Sequence, residues 1–258
     1  QRTLETPLID VELFSRPAFT WAIAATVLAI FALAGLLYFF SQYLQLVRGC
    51  STLQAGLIEL PTSLASIAVV AVVAAAVHRL GNGRALGGGL ILAAAGLLVV
   101  AVGESHGGIV VICIGLLVIG AGVGLAFTVS TGAVLGSVPA DRAGAASAIS
   151  ETGLELGVAL GVAVLGTIQD VGYRLLLGRP PAGLPDRVVD AAKQSLATLS
   201  GVIDQADPGQ ARLLGHAQTA FTHAMQATAV IAAGILLVAG VMAARRVPAT
   251  SETSEETA

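Results

Sequence analysis

Charged residues are scarce in this sequence. Lys, Arg, Asp and Glu together make up 11% of its 258 residues, whereas a soluble globular domain carries roughly 25%. This shortage excludes an ordinary water-soluble domain. The formal net charge is −3 and there is no polybasic tract, so nucleic acid is not expected as a partner.

Cysteine and the motifs of soluble enzymes are also lacking. Cys50 and Cys113 are the only cysteines, and their spacing fits neither a metal site nor a disulfide framework. Each is interpreted as a small apolar side chain. The sequence contains no HExxH, Walker or GxSxG motif. We therefore expect a protein that is not an enzyme and that uses no cofactor or metal.

Apolar residues are abundant instead. They make up 55% of the chain and fall into six long runs, each near the ~20 residues that an α-helix needs to cross ~30 Å of hydrocarbon. The runs are continuously apolar, unlike the alternating strands of a membrane β-barrel. They also hold most of the 31 glycines, which are common in membrane helices. The sequence predicts an all-α membrane protein whose spans cover residues 18–47, 53–77, 85–102, 109–135, 143–168 and 219–243.

Polar segments flank and interrupt these runs. Residues 1–17 predict a cytoplasmic linker, and residues 244–258, rich in Ser, Thr and Glu, predict a disordered cytoplasmic tail. Residues 170–218 predict a long extracytoplasmic loop. Within that loop, apolar side chains recur at helical spacing over residues 185–203, which indicates a surface amphipathic helix.

Basic residues of the short loops set the orientation, because cytoplasmic loops carry more Lys and Arg than external ones. Arg79, Arg84 and Arg142 fall on the same side as the basic residues before the first span and after the last. Only Arg48 falls in a short loop on the other side. Both termini of this multi-pass chain are therefore predicted to be cytoplasmic.

Three glutamates, Glu59, Glu151 and Glu155, fall inside the predicted spans. An ionisable group in hydrocarbon is costly unless it is protonated, paired or facing water, so its default interpretation is functional. Glu151 and Glu155 are spaced i, i+4 and share one helix face. Such a pair can hold either protons or a cation, which is what a proton-coupled step needs. Alternatively, both are solvated near the cytoplasmic mouth or paired with Arg142.

Glycines repeat every four residues on the same span as the acidic pair. Gly153, Gly157 and Gly161 lie about 200° around the helix from the two glutamates. They predict a face that packs closely on a neighbouring helix, as Gly120 and Gly124 do for the fourth span. Sliding contacts in a transporter also need small residues. Weaker candidates for lining a pathway are Gln42, Gln45 and His223, although His223 also fits a simple interfacial position.

Several motifs resemble a known family of membrane transporters. Residues 41–45 (SQYLQ), 51–57 (STLQAGL) and 60–61 (LP) resemble the region of the ninth and tenth helices in fourteen-helix drug:proton antiporters of the major facilitator superfamily. Residues 137–147 (SVPADRAGAAS) resemble the loop before their thirteenth helix. Residues 149–157 (ISETGLELG) resemble that helix in the subgroup that exports antiseptics and dyes. The chain departs from the family at His78, where an Asp is usual.

The resemblance implies a plasma-membrane exporter of lipophilic, cationic drugs or antiseptics, driven by the proton gradient. It implies that the chain is the C-terminal bundle and that an N-terminal helical bundle is missing. In that subgroup the acids matching Glu151 and Glu155 recognise cationic drugs, and Glu59 matches more loosely. Two alternatives stay open: an exporter of a neutral or anionic natural product, and a membrane assembly or signalling subunit that transports nothing.

Overall fold

The computed structural model describes residue 15 and residues 17–106, 108–181 and 183–247. Within this part of the chain there are helices and no strands, which confirms the all-α prediction. Six helices are long and apolar enough to cross a membrane. The predicted linker and tail, at residues 1–17 and 244–258, lie largely outside the described residues. The helices are α1 (Pro17–Leu46), α2 (Thr52–Leu80), α3 (Asn82–His106), α4 (Ile109–Gly136), α5 (Ala143–Leu177), α6 (Asp186–Gln194), α7 (Leu196–Val202) and α8 (Pro208–Arg246).

Two helices exceed by nine residues or more the apolar runs that predict them. α5 continues to Leu177 and α8 begins at Pro208, because polar residues can continue a helix once it leaves the hydrocarbon. Asp207 starts α8 by accepting hydrogen bonds from the backbone N–H groups of Gly209 and Gln210. The segment between α5 and α8 is correspondingly shorter than the predicted external loop.

That segment folds into two short helices where the sequence predicts a single amphipathic one. Ser195 has an extended backbone, with φ −170° and ψ 161°, and its hydroxyl accepts from the N–H of Thr198 to start α7. The apolar faces of both helices are buried, and the Tyr173 hydroxyl donates to the Ala192 carbonyl at 2.9 Å. The segment is therefore packed onto the ends of the long helices.

Glycines allow the long helices to approach each other closely. A Cβ added at Gly122 of α4 would lie 2.4 Å from the backbone N of Ala93 in α3, and one at Gly87 of α3 would lie 2.4 Å from the carbonyl oxygen of Gly240 in α8. Both distances are too short for a real side chain. Backbone-to-backbone packing of this kind makes α3, α4 and α8 the dense part of the bundle.

α2 and α5 are far more open than the other helices. In the most apolar stretch of each helix, 61% of the residues are buried in α3, against 11% in α2 and 17% in α5. Large apolar side chains on α2 and α5, such as Leu64, Ile67, Leu156 and Leu160, are mostly exposed. The bundle thus has a closed side and an open side, and the acidic pair belongs to a helix of the open side.

Candidate functional site

The glycine row of α5 determines how that helix is rotated. Gly153, Gly157 and Gly161 are buried against α1. A Cβ at Gly161 would lie 2.2 Å from the carbonyl oxygen of Phe31, and one at Gly157 would lie 2.9 Å from that of Val27. Because the contact leaves no room for side chains, the face of α5 that packs against α1 is the one that carries these glycines.

Glu151 and Glu155 are exposed on the opposite face of α5. One helical turn separates them, so the two carboxylates project from the same stripe of the helix. Within the described residues neither forms an ion pair, with Arg142 or any other cation. The structure therefore holds two carboxylates side by side on an open helix face, available to protons or to a cationic ligand.

Glu59 lies on another helix and in different surroundings. It is half-buried on α2, where its Oε1 atom has no hydrogen-bond partner within the described residues, and the buried hydroxyl of Thr62 one turn later has none either. α2 packs mainly on α4, whereas α5 packs mainly on α1. Glu59 is therefore a separate acidic position and is not a third member of the α5 pair.

The glycines of α4 seat that helix against α2. A Cβ at Gly120 would lie 2.1 Å from the carbonyl oxygen of Thr62, and one at Gly124 would lie 2.7 Å from that of Ser66. The Ser66 hydroxyl also donates to the Gly120 carbonyl at 2.9 Å. These contacts hold α2, and with it Glu59, on the open side of the bundle.

The two glutamines of α1 are half-buried near its C-terminal end. Gln45 donates to the Ser41 carbonyl at 3.3 Å and accepts from the Thr52 hydroxyl at 3.4 Å, which links α1 to the start of α2. Gln42 lies about one turn earlier on the same helix, and its side chain takes no part in this link. Of the two, only Gln45 belongs to the hydrogen bonding that joins these helix ends.

His223 is exposed on α8 and belongs to a polar chain that reaches α3. Its Nδ1 atom lies 3.2 Å from Oε1 of Gln226, and Nε2 of Gln226 donates to the Ser105 hydroxyl at 2.8 Å. These residues line a cavity of about 320 Å³ between the ends of α1, α3 and α8. His223 is thus apart from the acidic pair of α5 and next to another glutamate.

That glutamate, Glu104, is a feature that the sequence does not reveal. The sequence places it just beyond the third apolar run, in the polar turn that ends the span. In the structure it lies in the last turn of α3, where its side chain is 5% exposed and neither oxygen has a hydrogen-bond partner within the described residues. Nothing in the local sequence shows that the end of α1 and residues 215–226 of α8 come together beside this position.

The chain belongs to the Major Facilitator Superfamily, whose family model matches residues 2–162. With its six long apolar helices it is a multi-pass membrane protein. The match includes α1 to α4 and the part of α5 that carries the acidic pair and the glycine row.

Three of the curated relatives are named as a multidrug efflux pump or as resistance proteins. The chain is 37% identical to the multidrug efflux pump LfrA of Mycolicibacterium smegmatis over 93% of its own length and 47% of that protein. It is 28% identical to the methyl viologen resistance protein SmvA of Salmonella typhimurium, over 86% of the chain and 45% of the relative. It is 35% identical to the multidrug resistance protein Stp of Mycobacterium tuberculosis, over 65% of the chain and 31% of that protein. The chain thus spans about half the length of the first two of these relatives.

Proposed function

We propose that this chain is the C-terminal bundle of a plasma-membrane exporter that exchanges protons for lipophilic, cationic compounds. The observation that carries the proposal is the arrangement of α5, with Glu151 and Glu155 together on an open face and the glycine row opposite. The names of the relatives support export as the activity. Methyl viologen, named in one of them, is a doubly charged organic cation and suits a pair of carboxylates.

A second helical bundle would cover the open side. α2 and α5 expose apolar side chains that would otherwise remain unpacked, and large exposed apolar surfaces mark interaction sites. Major facilitator transporters are built from two such halves, with the substrate site between them. In that arrangement Glu151 and Glu155 line the central cavity, and Glu59 on α2 is the weaker candidate for the same cavity.

The exchange follows from the charge of the pair. When the cavity faces the cytoplasm, a cationic compound neutralises the carboxylates; when it faces outward, protons replace the compound and release it. Once the carboxylates are protonated, the cavity turns back toward the cytoplasm. Carboxylates with neither a proton nor a bound cation would resist enclosure in a dry site. Gly153, Gly157 and Gly161 allow α5 to move along α1 during this change without side chains interlocking.

The orientation with both termini in the cytoplasm is part of the proposal. Its support is that the α2–α3 turn lies against the end of α8, since a Cβ at Gly83 would lie 2.3 Å from the Val247 carbonyl oxygen. The basic residues at both places therefore share one surface. The excess of Lys and Arg on that surface favours the cytoplasm. These basic residues are Arg79 and Arg84 beside the turn, and Arg245 and Arg246 at the end of α8.

The test is efflux by the full-length protein carrying Glu151→Gln, Glu155→Gln or both. Methyl viologen serves as the divalent cation, tetraphenylphosphonium as the monovalent one, and a neutral lipophilic dye as the uncharged compound. We expect the double variant to lose divalent export by roughly tenfold or more, equivalent to about 1.4 kcal/mol of lost interaction. Export of the neutral dye should change least.

Asp190→Asn is the matched control, because Asp190 is an exposed carboxylate on α6, outside the long helices. It should export all three compounds like the unaltered protein. If the double variant exports both cations at the unaltered rate, the proposed role of the α5 pair is wrong.

A further inference from the structure

An apolar groove of about 440 Å³ runs between the first half of α1 and the second half of α8. Its walls include Trp21 and Leu28 of α1 and Ile231, Val238 and Met242 of α8. The Val238 side chain is 61% exposed, so the groove opens on the surface of the bundle. Pockets for small molecules run from about 300 to 1,000 Å³. The groove is therefore large enough to hold a ligand and is accessible from outside.

Small residues give the groove its depth. They are Ala24 and Ala25 of α1 and Gly234, Ala239 and Ala243 of α8. Gly234 differs from the packing glycines of the bundle, because a Cβ built there has nothing within 4 Å in the described part of the chain. At Gly240, later in the same helix, a Cβ would lie 2.8 Å from the Gly87 carbonyl oxygen. Gly234 thus leaves open space on α8 that no neighbouring helix fills.

The groove begins where the hydrogen bonds between α5 and α8 end. Gln169 of α5 donates to the Phe221 carbonyl at 3.1 Å and accepts from the Thr228 hydroxyl at 3.3 Å. The groove starts about one turn later, at Ile231, and reaches Met242. This distance is about 16 Å along a helix axis, close to the ~15 Å of hydrocarbon in one leaflet of a bilayer. A single acyl chain lying along α8 matches that length.

One end of the groove combines a tryptophan with two arginines. The guanidinium carbon of Arg246 lies 5.9 Å from the centroid of the Trp21 ring, within the range of a cation–π contact. Arg245 is exposed beside it, and among the described residues neither arginine forms an ion pair. Tryptophan is typical of the headgroup level of a membrane, and a guanidinium group binds phosphate through paired N–H donors. This end therefore has the depth and the charge to hold a phosphate.

The surface around this end is positively charged as well. The α2–α3 turn, with Arg79 and Arg84 beside it, lies against Val247 at the end of α8. Neither α1 nor α8 contains an Asp or a Glu, so no carboxylate of the groove walls competes for the arginines. Clusters of basic residues just beyond a membrane-spanning helix are typical of binding to anionic lipids.

We propose that the groove between α1 and α8 binds one anionic phospholipid, with an acyl chain along the groove and the phosphate on Arg246 and Arg245. A zwitterionic phospholipid has the same chain and phosphate, but its ammonium group cancels the charge, so it binds more weakly. The groove belongs to α1 and α8, whereas the proposed second bundle would cover α2 and α5. The site does not depend on the proposed export, and the orientation of the chain decides only which leaflet supplies the lipid.

The headgroup is tested by native mass spectrometry of the purified full-length protein. The protein is titrated with phosphatidylglycerol or with phosphatidylcholine that has the same acyl chains. We expect phosphatidylglycerol to bind roughly fivefold more tightly or better, which is the contribution of about one arginine near a membrane surface. Arg246→Gln should remove most of this preference. Arg187→Gln is the matched control, because Arg187 is an exposed arginine of α6, outside the long helices, and it should leave the preference unchanged.

The groove itself is tested by filling it. Gly234→Leu places a side chain in the open space of the groove and should lose the bound phosphatidylglycerol. Gly88→Leu is the matched control, because Gly88 is an exposed glycine of α3 where a Cβ also has nothing within 4 Å among the described residues. This control should bind phosphatidylglycerol like the unaltered protein. Thermal unfolding shows whether each variant is folded, and Arg246→Gln provides the decision if Gly234→Leu is not.

Trp21 reports the acyl chain directly. Its fluorescence is obtained as the difference between the unaltered protein and Trp21→Phe, and phosphatidylglycerol with brominated acyl chains should quench it in detergent at low lipid-to-protein ratios. Phosphatidylcholine with the same brominated chains should quench it less. Equal binding of the two lipids by the unaltered protein overturns the proposal. So does equal binding of phosphatidylglycerol by folded Gly234→Leu and Gly88→Leu.

Discussion

Glu104 and the pair formed by Glu151 and Glu155 are glutamates of the same helical bundle with opposite surroundings. The pair is exposed on α5, a helix of the open side, whereas Glu104 is 5% exposed at the end of α3, the most buried of the long helices. Both lie close to a polar turn in the sequence. The comparison teaches that the packing partners of a helix, more than the residue or its local sequence, decide what an acidic side chain can do in a membrane.

The largest expected effect comes from disturbing the contact that keeps the acidic pair on the open side. Gly161→Ala places a methyl group 2.2 Å from the Phe31 carbonyl oxygen. Overpacking typically costs about 1–3 kcal/mol, and we expect a value at the upper end because the obstructing atom belongs to the backbone. The measurement is thermal unfolding of the full-length protein in detergent.

Gly132→Ala is the control for this change. Gly132 lies on α4, and a Cβ there has nothing within 4 Å. Replacing such a helical glycine should change the stability by no more than about 1 kcal/mol, in the favourable direction. Equal destabilisation by both substitutions would contradict the close seating of α5 on α1.

A smaller effect should separate the two kinds of glutamate directly. Glu104→Met removes a buried, unpartnered carboxyl and keeps a side chain of similar length. Leaving a buried polar group unsatisfied costs about 1–3 kcal/mol, so this variant should have a higher thermal unfolding temperature than the unaltered protein in detergent. Glu151→Met, on the exposed face, should change the unfolding temperature little.

A lower unfolding temperature for Glu104→Met than for the unaltered protein would mean that the carboxyl has a stabilising partner, and the contrast with Glu151 would then be lost.

The smallest effect concerns Asp207, an acid that receives its donors from the chain itself. Hydrogen bonds from the backbone N–H groups of Gly209 and Gln210 and from the Gln210 amide lower the pKa of Asp207 below its ordinary value of 3.8. A depressed pKa contributes stability above the unfolded-state value, and this contribution is lost as the pH falls through the folded-state value. We therefore expect stability to decrease slightly below about pH 4.

Asp207→Asn should be slightly less stable than the unaltered protein near pH 7 and should lose this part of the acid sensitivity. Thermal unfolding between pH 3 and pH 7 measures both. If the variant and the unaltered protein show the same dependence on pH, Asp207 does not stabilise the start of α8 through its charge.

Much of the α5 site could be predicted from the sequence, because a helix advances about 100° per residue. Spacing alone places Glu151 and Glu155 on one face and Gly153, Gly157 and Gly161 on the other. Local periodicity could not indicate that α1 is the helix against which the glycines pack. It also could not separate Glu59 from the pair, since that depends on α2 packing on α4 and α5 packing on α1.

The Glu104 cavity could not be predicted, because its walls come from three parts of the chain. Val47, Glu104 and Gln226 are far apart in sequence and meet where α1 and α3 end beside α8. Gln226 of α8 donates to the Ser105 hydroxyl of α3 at 2.8 Å, and this approach of the two helices brings these walls together. Without that approach, Glu104 would be an ordinary wet residue after a hydrophobic run.

The sequence by itself determined that this protein lies in a membrane and that its segments there are helical. Six apolar runs of membrane-spanning length require helices, because backbone groups in hydrocarbon must be hydrogen-bonded within the chain, and helical periodicity then assigns residues to faces. Only the tertiary structure decided which faces are covered. Burial depends on contacts between distant segments, and those contacts left Glu151 and Glu155 open while they enclosed Glu104 without a partner among the described residues.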